Sequence, residues 1–384
     1  MDFTPTEDQE ELRASVRHVL SESCPPALVR QVFEDKDGEY DPRRSPLWAR
    51  MAQLDWPALT IPEQYGGMGL GAVELNLVVE EMGRALAPSP FMATVTQFAP
   101  MVRETAPAEL ADRFLRPIAE GRSTGTLALA EPSGRWELPA VTATARRSGT
   151  GWVLDGVKSW VYDGASADEV AVVARSEGSV GHDGIGVFVV PGTTLACRAL
   201  PVFDPSQPLA QLNLTGVDVP EDRVLVEPGD PSAGRSVTRA LEESVVAVAA
   251  GVNGTCRAIF ETTLQYAKDR EQYGQPIGAF QAIKHRFVNM YLALERSAAL
   301  STYAALTIAE DDDRRSVAVA MAKAAAGDCQ RLMVQDGLQL HGGIGFTWEN
   351  DLQMFLKRAK SGDLLFGTAS THRAAVARLM GVWS

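Results

Sequence analysis

Cysteine and histidine are scarce in this 384-residue chain, and chemistry that needs either in quantity is closed to it. The four cysteines, Cys24, Cys197, Cys256 and Cys329, are far apart and form no C-x-x-C pair. The five histidines, His18, His182, His285, His341 and His372, show no metal-ligand spacing. A zinc site and a disulfide framework are excluded, and reduced, mostly buried thiols in a cytosolic protein are expected. A basic excess is missing too: 36 Lys and Arg against 49 Asp and Glu leave a formal charge of -13. Without a Lys/Arg run, the chain is a poor ligand for a nucleic-acid backbone or an anionic membrane. No apolar run approaches the roughly 18 residues of a spanning helix, and the first residues are acidic and polar, unlike a signal peptide. A cytoplasmic protein is expected.

What is present is an ordinary globular balance, 45% hydrophobic and 22% charged, long enough for two or three domains. Residues 1–121 read as helical. Thr4-Pro5-Thr6-Glu7 has the form of a capping box, and Leu12, Val16, Val19 and Leu20 make one apolar helix face before Pro25-Pro26. Leu47, Trp48, Met51 and Leu54 repeat that spacing, as do Leu110, Ala111, Phe114, Leu115 and Ile118 before Gly121. Between them Gly66-Gly67-Met68-Gly69 marks a loop, and Leu75, Val78 and Met82 a further helix. Over 122–231 the period changes to two: Val141/Ala143/Ala145, Trp152/Leu154, Val170/Val172/Ala174, Val187/Val189, Leu212/Leu214 and Val217/Val219 alternate between Gly, Pro and Asp. A barrel-like β-domain is expected there. Over 232–384 the helical period returns, with long helices expected at 236–269, 280–310, 316–340 and 364–380, a four-helix bundle.

Two short motifs fail on context. Gly121-Arg122-Ser123-Thr124-Gly125 has the pattern of a hydrolase nucleophile elbow, but that elbow needs a strand before the serine and a helix after it. Here the order is reversed, so a Gly-stopped helix leading into a turn is the reading. His341-Gly342-Gly343-Ile344-Gly345 follows a helix where a dinucleotide-binding loop would follow a strand.

Taken together, a series of segments resembles acyl-CoA dehydrogenases along the whole chain and in the family's order. Pro62-Glu63-Gln64-Tyr65-Gly66-Gly67-Met68-Gly69 and Glu80-Glu81-Met82-Gly83 are similar to the N-terminal helical domain. Ala130-Glu131-Pro132 and Gly156-Val157-Lys158-Ser159-Trp160 are similar to the flavin-facing strands. Arg270-Glu271-Gln272-Tyr273-Gly274-Gln275-Pro276-Ile277 with Phe280-Gln281, and Gln339-Leu340-His341-Gly342-Gly343-Ile344-Gly345-Phe346, are similar to two signatures of the bundle. The resemblance implies an α+β acyl-CoA dehydrogenase fold, FAD as cofactor, an acyl-CoA substrate desaturated between Cα and Cβ, and a separate electron-transfer acceptor.

It also implies three sets of site residues. The adenosine end of FAD, in this family offered to a neighbouring subunit, falls on Arg270, Tyr273 (where Phe is usual), Phe280, Gln281, Gln339, Gly342 and Gly343, with Thr368 in the last helical region. The flavin end falls on Ala130, Trp160 and Tyr162, of which Ala130 and Tyr162 replace threonines, while Trp136 replaces the serine near the CoA chain. The catalytic carboxylate is missing at its usual place, where Phe366 stands, and at the alternative place early in the first bundle helix, where Ser244 stands. Glu243 is the remaining candidate base beside Glu242, although one residue turns a helical side chain by about 100°; otherwise the two form a solvated acidic turn.

Sharing of FAD between chains implies a homo-oligomer, or a heteromer with a Glu-bearing paralogue. The segments 341–349 and 360–367 especially resemble the bacterial heteromeric branch, whose members often act on bulky sterol side-chain thioesters. A non-catalytic binding subunit and a flavin monooxygenase are the other readings that a missing base allows.

Overall fold

The computed structural model describes residues 3–35, 38 and 40–382. The outermost residues of the first and last expected regions, 1–2 and 383–384, lie outside these. Helices come first: α1 (Glu7–Ser23), α2 (Pro26–Glu34), α3 (Pro46–Gln53), α4 (Ala72–Ala85), the short α5 (Phe91–Ala93) leading into a π-helical turn (Thr94–Phe98), α6 (Ala99–Thr105) and α7 (Ala108–Ala119). Strands follow: β1 (Gly125–Ala128), β2 (Thr144–Ser148), β3 (Gly151–Asp155), β4 (Val157–Tyr162), β5 (Glu169–Ser176), β6 (Ile185–Pro191), β7 (Ala196–Ala199), β8 (Leu209–Asn213), β9 (Val217–Pro220) and β10 (Val224–Val226). Then come α8 (Ala233–Asp269), a small hairpin of β11 (Glu271–Gln272) and β12 (Gln275–Pro276), α9 (Gln281–Ala309), α10 (Arg315–His341), α11 (Leu352–Leu364) and α12 (Ala369–Leu379). The mixed class and the helical, sheet, helical order are those expected. Helices α2, α5, α6 and α11 were not; α2 follows directly on the Pro25-Pro26 stop, and α11 occupies a stretch read as connection, with Gly362 inside it.

The backbone gathers into two compact units. The helical unit takes the described residues of 1–36, 72–88 and 245–384, and the strand-bearing unit those of 37–71 and 89–244. The helical segments of the first 121 residues therefore divide between them.

In the helical unit, Val252, Cys256, Ile259, Met290, Leu294, Ala326, Cys329, Met333 and Leu352 form one buried core. Three glycines let α4 and α8 touch backbone to backbone. A Cβ on Gly83 would lie 2.1 Å from the Gly251 carbonyl, and one on Gly254 would lie 1.8 Å from the Glu80 carbonyl. The Glu80-Glu81-Met82-Gly83 segment is thus a crossing motif: Thr255 donates to the Gly83 carbonyl at 3.0 Å, and Arg17 clamps Glu81 at 2.9 and 2.7 Å. The first helix starts two residues later than the Thr4 box. Thr6 is the N-cap, Gln9 closes the box, and Gln9 also donates to Glu74 on α4 at 2.8 Å, a tie that sequence spacing does not reveal.

In the strand-bearing unit, a seven-stranded sheet runs in the order β10-β6-β5-β2-β3-β9, with β1 joining β5. β1 and β2 pair with β5 in parallel, and the remaining ladders of this sheet are antiparallel. A second sheet, β4-β8-β7, is antiparallel. Ala145, Leu154, Val170, Val172 and Phe188 from the first sheet and Val161 and Leu212 from the second share one core, the arrangement that period-two alternation produces.

Candidate functional site

One end of the helical unit collects seven residues from two segments, 270–281 and 339–343. Helix α8 stops at Asp269, and the chain turns back through β11 and β12 into α9. The turn residues Tyr273 and Gly274 both have positive φ, +55° and +79°, as a two-residue hairpin loop of right-handed twist requires. A tyrosine in that region costs about 1–2 kcal/mol, and what it gains is presentation: Tyr273 is 94% exposed, with its ring edge-on to Phe280 at 6.2 Å. The Arg270 main chain is fixed at both ends, N–H to the Tyr266 carbonyl and carbonyl to the Ile277 N–H, each at 2.8 Å. Its guanidinium is exposed and has no side-chain partner among the described residues. Phe280 is the N-cap of α9 and supplies no side-chain bond, so the first N–H groups of α9, beginning at exposed Gln281, stay open.

Helix α10 returns to the same end. The His341 ring stacks on Tyr266 of α8 at 4.3 Å, pinning the two C-termini together, and its Nδ1–H donates to the Gly337 carbonyl at 2.9 Å. Burial pushes the His341 imidazole below its ordinary range, so it is a neutral packing group. Beyond it Gly342 adopts φ +63°, ψ −144°, a conformation essentially restricted to glycine. No atom lies within 4 Å of where a Cβ would stand on Gly342 or Gly343, which leaves backbone open to a ligand; Gln339 is exposed on the preceding turn. A planar cation, open helix N–H groups, two aromatic rings and bare glycine backbone fit a nucleotide pyrophosphate with its adjoining adenosine.

In the strand-bearing unit the expected flavin-end residues are less alike. Trp160 has φ +61° and sits where the β4–β8 register shifts between Lys158 and Val161. Such a bulge re-aims one side chain, and the Trp160 indole stands 40% exposed. Ala130 and Tyr162 are instead buried, and Trp136 is half-buried. Thus Trp160 reaches the surface, whereas Ala130 and Tyr162 present no exposed side chain.

Beneath Trp160 lies a pair whose roles the sequence did not disclose. Lys158, fully buried, donates to Glu131 at 2.8 Å and to the Leu129 carbonyl at 3.0 Å. Glu131 also accepts from the Thr142 and Ala143 N–H groups at 2.8–2.9 Å and from the Thr142 hydroxyl. Burial pulls the Lys158 ammonium down to about 8, against the pull of Glu131. Burial alone would raise the Glu131 carboxyl, but Lys158 and the surrounding donors hold it below the ordinary range. The pair fastens the Glu131-Pro132 turn to β4; an isolated lysine between apolar strand positions is the one signal the sequence offers.

The base positions carry no free carboxylate. Phe366 is buried at φ +56°, and its carbonyl accepts from His372 Nε2–H at 2.9 Å. The turn that holds it is capped by Lys323, a second fully buried lysine, which donates to the carbonyls of Gly362, Asp363 and Gly367 at 3.1, 2.8 and 2.9 Å. Thr368 is the N-cap of α12, its hydroxyl accepting from the Thr371 N–H. Ser244 is fully buried and donates to the Thr96 carbonyl at 2.7 Å. Glu242 and Glu243 are buried, not solvated as the acidic-turn reading had them. Both Glu243 oxygens are engaged by Arg103 Nη2 at 2.5 Å, so this carboxylate is committed to a cation within its own unit.

Elsewhere, α7 precedes the Gly121–Gly125 segment and β1 begins at its end, the reverse of a nucleophile elbow. Cys24, Cys256 and Cys329 are buried free thiols and Cys197 is an exposed one. Among the described residues no His, Cys, Asp and Glu group could hold a metal ion, and no helix is long and apolar enough to cross a membrane.

Comparison with known proteins covers nearly the whole chain. Residues 6–122, 126–205 and 234–381 match the N-terminal, middle and C-terminal domains of acyl-CoA dehydrogenase respectively. The acyl-CoA dehydrogenase IpdE2 of Mycobacterium tuberculosis is 31% identical over 93% of this chain and 92% of its own length. The short-chain specific acyl-CoA dehydrogenase of Bos taurus mitochondria is 28% identical over 85% of this chain and 80% of its own. Among solved structures, a chain of the ChsE4-ChsE5 complex from Mycobacterium tuberculosis superposes with a TM-score of 0.88 at 25% identity, covering all of both chains.

Proposed function

This chain belongs to the acyl-CoA dehydrogenase family, and from that premise we propose that it is the base-lacking subunit of a heteromer that desaturates an acyl-CoA thioester between Cα and Cβ. FAD is the cofactor; when bound, it takes up the hydride that leaves Cβ. Arg270, Tyr273, Phe280, Gln281, Gln339, Gly342 and Gly343 hold the adenosine and pyrophosphate end of an FAD lying on the partner. The Arg270 guanidinium supplies charge-assisted bonds, and the glycines allow close backbone approach. Trp160 is the surface residue of the flavin-end set.

The observation that carries the reading is the contrast between the two sets. The adenosine-end group is nearly complete, with Tyr273 where Phe is usual; its members other than half-buried Phe280 are exposed, and the group gathers at one end of the helical unit. Neither base position has a carboxylate, and Glu243 is held by Arg103. Decay of a redundant copy would damage both sets alike. A Glu-bearing paralogue supplies the base, an electron-transfer protein takes the electrons, and bulky sterol-type thioesters are the substrates to try first. General-base catalysis contributes about 10²–10⁴-fold, so the chain alone should turn over acyl-CoA slower by that factor than the chain co-purified with its paralogue. Full turnover by the chain alone refutes the proposal.

A further inference from the structure

Helix α9 turns an apolar stripe outward directly beyond the adenosine-end residues. Val288 is 55% exposed, Tyr291 49% and Leu292 63%, and their spacing of three and four places them on one face. Gln281, the first residue of α9 and a member of the adenosine-end set, lies on that face too. Val288 follows it by about two turns and points within about 20° of the same direction. Tyr291 is fixed by its ring against Phe260 of α8 at 5.7 Å. A contiguous apolar stripe rimmed by polar residues marks an interaction surface.

The charge on its rim has one sign. Lys284 and Arg296 flank the stripe on either side, both exposed and without an ion-pair partner among the described residues. Glu295 is the only carboxylate in α9, and Arg257 of α8 engages it at 3.4 Å. A chain of formal charge -13 thus keeps two uncommitted cations beside this stripe. A second copy of the chain fits such a face badly, because two-fold pairing sets a patch against itself. With the helices antiparallel about the point midway between Val288 and Leu292, those two residues meet and Lys284 faces the other copy's Arg296. With the helices parallel, each cation faces its own counterpart. Like charge meets like charge in both arrangements, which suppresses that pairing.

We infer that the outer face of α9 docks the FAD-bearing paralogue through acidic residues opposite Lys284 and Arg296, and that these two cations select the heteromer over a pair of identical chains; this rests on the reading of the chain as a subunit that completes a partner's FAD site. A partner whose FAD reaches Gln281 also lies over Val288 and Leu292, the next turns of the same face. The apolar stripe gives the contact its buried centre. The two cations give it its choice of partner and its speed of encounter.

Biolayer interferometry between the full-length chain and the purified Glu-bearing paralogue, at about 0.05 and 0.5 M salt, tests this. Combining Lys284→Glu with Arg296→Glu should slow association at low salt by roughly tenfold or more and flatten its salt dependence. Leu292→Asp should mainly speed dissociation, again by roughly tenfold or more. Arg146→Glu, at an exposed arginine of the strand-bearing unit, is the charge control and should leave both rates within about twofold. All the altered side chains are exposed, and circular dichroism checks that each variant keeps its fold. A charge-reversed chain that associates as fast as wild type, or a Leu292→Asp complex that dissociates no faster, overturns the inference and spares the cofactor-sharing reading. Self-association of the wild-type chain that Leu292→Asp abolishes, seen as native mass, also overturns it, because the occupant is then a second copy. No association of wild type with the paralogue overturns both.

Discussion

Lys158→Met is a sharp test of how the fold presents Trp160. The substitution keeps the length of a side chain that is fully buried, but removes the cation from Glu131. Breaking one side of a buried ion pair costs about 3–5 kcal/mol, because the surviving charge stays buried. Glu131 keeps its bonds from Thr142 and Ala143, which places the expected loss toward the lower end. For a unit of about 190 residues that corresponds to a melting-temperature drop of roughly 6–20 °C. Adding Glu131→Gln removes the stranded charge, so the double variant should regain most of the loss. The dependence on pH follows the Glu131 carboxyl, which is held below its ordinary range in the fold. Its contribution is fully present above the unfolded-state value of about 4.3 and is lost as pH falls through the lower folded value, so wild type and double variant should converge in acid. Thermal melts of the three proteins from pH 3 to 7 measure this. A single variant as stable as wild type, or a double variant no better than the single, refutes the coupling.

Two further outcomes are expected. Lys323→Met removes the donor from three buried carbonyls at the Phe366 turn, each costing about 1–3 kcal/mol when unmet; amide hydrogen exchange at Gly367 and Ala369 should accelerate, and unchanged exchange contradicts the capping role. Glu243→Gln leaves the Arg103 guanidinium short of its main partner, so melts should show a loss of about 3 kcal/mol; unaltered stability with abolished turnover by the chain alone would instead identify Glu243 as the base.

The large features were legible because they are periodic. The apolar spacing along α1, with Val16, Val19 and Leu20 buried, and the apolar residues at spacing two in β3, β5 and β6, whose intervening positions are largely buried as well, carry the architecture. β1, with all four residues buried, and β4, with Lys158 at an interior position, carry no such spacing of their own, and were read as strands only from the order around residues 121–125 and from the resemblance of 156–160. The residues proposed for the adenosine end were legible by resemblance because they lie in two short contiguous segments, which one stacked pair, Tyr266 on His341, draws together. The Arg103–Glu243 pair spans 140 residues of sequence, and no local pattern marks it.

Whether this chain completes a cofactor site on another chain is read from FAD retention in the assembled complex carrying Arg270→Ala in this subunit alone. Loss of a charge-assisted phosphate contact is worth about 1.5–3 kcal/mol, or roughly 10- to 150-fold in FAD affinity. The complex should assemble, lose flavin absorbance on dialysis and lose turnover in proportion, although no base lies on the altered chain. A complex that stays fully yellow and active, or a paralogue that never co-purifies with this chain, contradicts it.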